Sequence, residues 1–187
     1  IDLHTHTSCS DGTDTPTHLV RKAAKQELRV VALTDHDTTA GWSEAIGALP
    51  HGLDLALGAE ISTLTESGIS VGMLGLLCDG SHLGIQKMLE ESRDQRLPRM
   101  RKMIELLKAD GYEISLEDVF AVMPEGATLG RPHLADALVQ KRIVPTRDHA
   151  FAELLHNDSK YYVTHLAPTP EAAIAMIKEA GGVSVIA

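Results

Sequence analysis

Over the first eighty residues, short apolar runs alternate with amphipathic stretches, a pattern that predicts strands interleaved with helices. Ile1-Asp2-Leu3 begins a strand-like segment at 1–4. Thr15-Pro16 is a cap followed by a first-turn proline, opening a helix to about Leu28 with Leu19, Val20, Ala23 and Ala24 on one face. A second strand is expected at Val30–Leu33, and then a helix capped by Thr38 or Thr39 and ended by Pro50 and Gly52. Residues 54–58 read as a third strand and Ile69–Leu77 as a fourth. Continuous apolar strands between helices imply an α/β fold with a parallel sheet covered on both faces. In such folds ligands collect beyond the carboxyl ends of the strands.

Strand signals then fade. Leu97, Met100, Met103, Ile104 and Leu107 mark one helical face that Gly111 ends, and further helices are expected near 115–122, 131–141 and 147–155. Tyr161–Thr164 is strand-like again, Thr169-Pro170 opens another helix, Gly181-Gly182 closes it, and Val183–Ala187 begins a strand. The expected division is 1–81 for the first part of the α/β domain, 82–158 for a helical insertion subdomain, and 159–187 for the domain continued, with a C-terminal part expected to be missing.

Hydrophobic residues make up 43% of the 187, enough for a core, although aromatics are only 3%. The net charge of -9 argues against broad coating of nucleic acid or adhesion to anionic membranes. It leaves a phosphorylated substrate open, because clustered cations reverse the local sign. Cys9 and Cys78 form no ligand-spaced pair, which favours a reducing compartment and a cytoplasmic location. No apolar run reaches the roughly 18 residues of a membrane span.

The ten histidines matter by position. His4 and His6 stand two apart, so in extended chain their imidazoles face the same side. Asp11 lies in the following loop, the second strand ends in Thr34-Asp35-His36-Asp37, and the third leads to Glu60. Imidazole with carboxylate suits Zn, Mn, Fe or Co. A shared Glu60 carboxylate could bridge two ions about 3.5–4 Å apart, as in two-metal phosphatases and nucleases. Asp35 and Asp37 have other uses: either could cap the helix near Thr38, and Asp35 could orient a ligating imidazole from behind. Asp11, before Gly12, could be a plain turn residue.

Taken together, His4-Thr5-His6, Ser10-Asp11-Gly12, Ala32-Leu33-Thr34-Asp35-His36-Asp37 and Gly58-Ala59-Glu60-Ile61-Ser62 resemble the first motifs of the polymerase and histidinol phosphatase (PHP) superfamily. Gly130-Arg131-Pro132-His133 resembles its stand-alone phosphoesterase branch, which acts on nucleoside 3′,5′-bisphosphates or trims short RNA from the 5′ end. The resemblance implies a distorted (β/α)7 barrel with a helical insertion and two or three divalent ions, usually Mn, Fe or Zn. His4, His6, Asp11, His36 and Glu60 would be metal ligands, Asp35 would support them, and Arg131 and His133 would reach the substrate phosphate. The implied reaction is attack of a metal-bound hydroxide on a 3′,5′-bisphosphonucleotide or a short 5′-phosphorylated oligonucleotide. Hydrolysis of another small phosphomonoester such as histidinol phosphate, or a degenerate metal- or nucleotide-binding module, are the alternatives. Two departures are visible: Val71-Gly72-Met73-Leu74-Gly75 carries Gly72 where the family has a ligating histidine, and the His-Pro and Asp-x-His motifs that the resemblance implies further on are expected beyond Ala187.

Two weaker signals have plainer readings. Arg93, Arg96, Arg99, Arg101 and Lys102, interleaved with Glu90, Glu91 and Asp94, read as a solvated helix face rather than an RNA track. Cys9 has no histidine-base partner in the sequence pattern and reads as a passive loop residue.

Overall fold

The computed structural model describes residues 1–164 and 166–187. In chain order the elements are α1 (Pro16–Lys25), β1 (Val30–Leu33), α2 (Trp42–Gly47), β2 (Asp54–Leu64), β3 (Ser70–Leu76), α3 (Leu83–Asp94), α4 (Arg96–Ala109), α5 (Leu116–Val122), α6 (Arg131–Gln140), α7 (Arg147–Ala150), a π-helical turn (Phe151–Leu155), α8 (Pro170–Glu179) and β4 (Val183–Ile186). The predicted caps at Thr15 and Thr169 form: their hydroxyls accept from the backbone N–H of His18 and Ala172.

The strands make one four-stranded sheet in the order β1-β2-β3-β4, so the fold is mixed α/β. β1 and β2 pair in parallel, as expected across α2, with Val30 opposite Asp54 and Leu33 opposite Leu57. The wholly parallel sheet is not found. β2 and β3 run antiparallel, Glu60 opposite Leu74 and Ser62 opposite Gly72, and β3 and β4 are antiparallel too. The cause is local: Thr65 N–H donates to the Ile69 carbonyl and Gly68 takes φ 84, closing a tight hairpin where no crossover helix could fit. β2 also runs well past residue 58 and carries Glu60 in its interior.

The expected first strand is reduced to a bridge between Asp2 and Val31, continued by a hydrogen bond from Thr34 N–H to the Thr5 carbonyl. The expected strand at Tyr161–Thr164 is a turn and irregular chain, in which Tyr161 buries its ring in the helical core. α2 starts at Trp42, later than expected, and neither Thr38 nor Thr39 caps it; Gly41 precedes it without a side-chain cap. The indole N–H of Trp42, the chain's one tryptophan, donates to the Gly58 carbonyl at 3.0 Å and fastens α2 to β2.

Two larger cores flank the site. One packs α3 and α8 on the sheet through Ile61, Met73, Ile85, Leu89 and Ile177, so α3 shares the sheet's core. The other is wholly helical and centres on Met103, Leu107, Leu134, Leu138 and Leu155. A smaller cluster around Val20, Val31 and Leu33 fixes α1 against β1.

Candidate metal centre

The loop after the N-terminal segment is tightly specified. Asp35, 1% exposed, accepts from Thr7 N–H at 2.7 Å, Thr7 Oγ1 at 2.6 Å and Ser10 Oγ at 2.6 Å. Among the described residues its side-chain partners are therefore the Thr7–Ser10 turn and no imidazole, which differs from the orienting role the sequence suggested; it fixes the turn that presents Asp11. Gly12 is required there, because a Cβ would lie 2.3 Å from the His6 carbonyl oxygen, a backbone atom with little freedom to yield.

That scaffold brings all five sequence-predicted ligand residues together. Glu60 Oε2 lies 2.9 Å from His4 Nε2, 3.2 Å from His6 Nε2 and 3.5 Å from His36 Nδ1. Asp11 approaches His6 Nδ1 at 3.6 Å through Oδ1 and His36 Nε2 at 3.4 Å through Oδ2. His36 and Glu60 are held as a parallel bridge, which continues the β1–β2 pairing beyond Leu33. Two overlapping sets result, His4-His6-Glu60 and His6-Asp11-His36, each with donor atoms within 4.8 Å of one another.

The donor set fits a cation. A carboxylate oxygen has about two lone-pair sites, yet three ring nitrogens converge on Glu60 Oε2. A neutral imidazole carries a single N–H, yet both nitrogens of His6 and of His36 face acids. Among the described residues, buried His36 Nδ1 has no hydrogen-bond partner. Divalent ions among these atoms resolve all three mismatches, and mixed imidazole and carboxylate donors suit Mn, Fe or Zn.

The electrostatics agree. Burial would raise the Glu60 carboxyl, but hydrogen bonds from His6 and His4 and the charge of His36 outweigh it and hold it at about 2. Asp11 is likewise pulled well below the ordinary carboxylate range, against its burial, by His36 and His6. His6 moves the other way: burial lowers it, and Glu60 and Asp11 more than compensate, so it is raised.

Beside these residues opens a cavity of about 240 Å³, lined by Asp11, His36 and Glu60 on one side and by Arg96, Arg99, Arg131 and Phe151 on the other. Arg99 and Arg131 both stack on Tyr162, with guanidinium carbons 5.1 and 5.3 Å from the ring centroid. Arg99 donates to the Val163 carbonyl, and Arg131 to the Leu155 carbonyl and Asn157 Oδ1. Among the described residues neither pairs with a carboxylate. Burial, together with the neighbouring Arg131 and Arg96, lowers Arg99 to about 10, so it remains cationic at neutral pH.

Here the sequence reading needs correction. Arg96 and Arg99 face the cavity, and only Arg101 and Lys102 lie on the solvated side. The one hint was the i, i+3 spacing of Arg96 and Arg99, which does not decide the matter because the exposed Lys102 continues it. Tyr162 and Phe151 had no such signal. Asp37 caps no helix; it is fully buried, at φ 51, and pairs with Arg96. Arg131 lines the cavity, but His133 does not: it is 3% exposed, and its Nδ1 accepts from Gly130 N–H in the cap of α6. Gly72 does line the cavity, and a Cβ there would meet Glu60 Oε1 at 2.0 Å, so the carboxylate occupies the room a side chain would need.

With this geometry in place, comparison with known proteins is decisive on ancestry. Residues 2–116 match the PHP domain. The chain belongs to the PHP family. It is 33% identical to the 3′,5′-nucleoside bisphosphate phosphatase of Chromobacterium violaceum over 188 residues, covering 100% of this chain and 66% of that protein. It is 35% identical to a 5′-3′ exoribonuclease of Haemophilus influenzae, covering 100% of this chain and 67% of that protein. Among solved PHP relatives, a crystal structure described as a metal-dependent phosphoesterase from Bifidobacterium adolescentis superposes with a TM-score of 0.93 at 45% identity, over 99% of this chain and 65% of that one. The chain thus spans about two thirds of the length of the relatives it matches. No helix among the described residues is long and apolar enough to cross a membrane.

Proposed function

We propose that this chain forms the greater part of a metal-dependent phosphoesterase acting on nucleotides, either 3′,5′-bisphosphonucleotides or short 5′-phosphorylated RNA. One observation carries the reading: three imidazoles and two carboxylates converge beside a cavity whose opposite wall holds two guanidiniums that, among the described residues, have no acid partner. His4, His6, Asp11, His36 and Glu60 would hold two or three divalent ions, and Asp35 supports their loop. Bound there, such ions polarise phosphoryl oxygens and lower the pKa of water.

The protein's own side chains define the rest. Arg131 and Arg99 supply planar forks that match phosphate oxygens, and their stacking on Tyr162 fixes the planes of both. Phe151 offers apolar surface for a nucleoside. His133, which burial keeps below its ordinary pKa despite Asp11, acts through the α6 cap that places Arg131 and makes no phosphate contact. The strands at 1–81 and 159–187 would belong to a distorted seven-stranded barrel completed by further chain, with 82–158 as its helical insertion. A cytoplasmic enzyme is consistent with the two free cysteines.

The test is hydrolysis of adenosine 3′,5′-bisphosphate by the full-length protein with Mn2+. Release of one phosphate that is lost in His4→Ala and His36→Ala protein is expected. Undiminished turnover in either variant refutes the ligand set, and preference for histidinol phosphate would refute the nucleotide substrate.

A further inference from the structure

Arg96 is placed differently from the other two cavity arginines. Its Nε donates to Asp37 Oδ2 at 3.0 Å, its Nη2 to the same oxygen and to Ser62 Oγ at 3.0 Å, and its Nη1 to the Leu129 carbonyl at 2.9 Å. All three guanidinium nitrogens are thus used on protein partners, and the side chain is 10% exposed. Asp37 is in turn closed on every side. Its Oδ1 accepts from Ser62 N–H at 2.8 Å, its Oδ2 also accepts from Ser62 Oγ at 2.9 Å, and its own carbonyl accepts from Arg93 Nη1. It holds φ 51, a conformation that a non-glycine residue keeps only where its surroundings impose it.

The partners matter for where they lie in the chain. Asp37 is bonded to His36. Ser62 stands two residues beyond Glu60 on the same face of β2. Leu129 stands two residues before Arg131. A second tie, Thr128 N–H to the Cys9 carbonyl at 2.8 Å, joins the same loop before α6 to the loop of Asp11. We propose that Arg96 is a positioning residue, which locks the loop before α6 to the chain beside His36 and to the β2 segment that carries Glu60, and so fixes the distance between the metal-holding and phosphate-gripping walls. This rests on the function proposed above. The role needs a planar fork, because a lysine ammonium cannot reach Asp37, Ser62 and Leu129 from one point.

The test uses the full-length protein, Mn2+ and adenosine 3′,5′-bisphosphate as probe, with Arg96→Lys and the single-partner variant Ser62→Ala. Amide hydrogen exchange at 128–131 should quicken by about tenfold in Arg96→Lys and by less in Ser62→Ala, since one charged hydrogen-bond partner lost corresponds to about that factor. KM for the probe should rise by about tenfold, and the effects of Arg96→Lys and Arg131→Lys should be non-additive. A lower melting temperature with unchanged exchange at 128–131 and unchanged KM, or additive effects of the two substitutions, would overturn the lock. Should Arg96→Lys not fold, Ser62→Ala carries the same readouts. Faster exchange in a protein whose wild type hydrolyses no probe would support the lock while refuting the phosphoesterase reading.

Discussion

The two walls of the cavity come from regions built on different terms. The sheet wall draws its groups from β2, from chain that extends the strand pairing and from one tight loop within the first sixty residues, held by backbone pairing or by buried carboxylates such as Asp35. The helical wall draws Arg96, Arg99, Arg131, Phe151 and Tyr162 from four separate segments, held by side-chain stacking and by hydrogen bonds to carbonyls. Electron-pair donors gather on one wall and cations face them on the other. Rigid strand ends suit ions, which tolerate little error in ligand placement. A wall assembled from side-chain contacts can exchange one group without disturbing the ligand residues, while the tie from Arg96 to Asp37 and Leu129 keeps its distance from them.

This contrast can be broken at either wall. The largest effect is expected from Glu60→Gln and His6→Ala, which should remove Mn2+ measured by elemental analysis. Activity should fall by more than the roughly 10–100-fold that loss of a ligand's outer partner costs. Retained stoichiometric metal in either would show that the sheet wall is not the metal wall. Next come Arg99→Ala and Arg131→Ala. Each removes charged hydrogen bonds worth about 1.5–3 kcal/mol, roughly 10–100-fold in kcat/KM, with Mn2+ content unchanged. Loss of metal from these variants would erase the division between the walls.

A pH titration sharpens the sheet wall alone. Glu60 falls from an ordinary 4.5 to about 2 on folding, so its stabilisation of the metal-free protein is complete above 4.5 and lost as pH drops toward 2. His6 is raised above 6.5, so its contribution is full below that value and declines as pH climbs through its folded pKa. Chemical denaturation of metal-free protein should therefore show falling stability on both flanks, while His6→Ala loses the alkaline decline and makes the acid one shallower, because His6 helps hold Glu60 down. The smallest effect is expected from Gly72→Ala. The obstructing atom is the end of a flexible side chain, so stability should stay within about 0.5 kcal/mol, typical of neutral substitutions. Titration calorimetry should nevertheless show weaker Mn2+ binding as Glu60 Oε1 is displaced.

The same division explains how much the sequence disclosed. All five sheet-wall residues were legible, because strand periodicity and strand ends are local signals and histidine with acid is a rare coincidence. Several helices were legible as well, down to the caps at Thr15 and Thr169, but α3 was not foreseen and α2 starts beyond the expected Thr38 or Thr39 cap. The antiparallel half of the sheet was not. An apolar run such as Ser70–Leu76 reads the same in either direction, and the hairpin turn at Thr65–Ile69 decides between them. Arg96 and Arg99 were misread because charge alternation describes a helix surface but not what that surface faces. Tyr162 stayed hidden in a segment that looked like strand. The fate of Asp37 depended on Arg96, far along the chain, and no local cap rule could reveal it.

The anchoring of Trp42 onto β2 has a practical consequence. A single indole hydrogen-bonded to Gly58, on the strand that carries Glu60, is a built-in optical reporter. Within these 187 residues no other indole overlaps it, so a change in its emission on adding Mn2+ is the expected label-free sign that binding reaches β2.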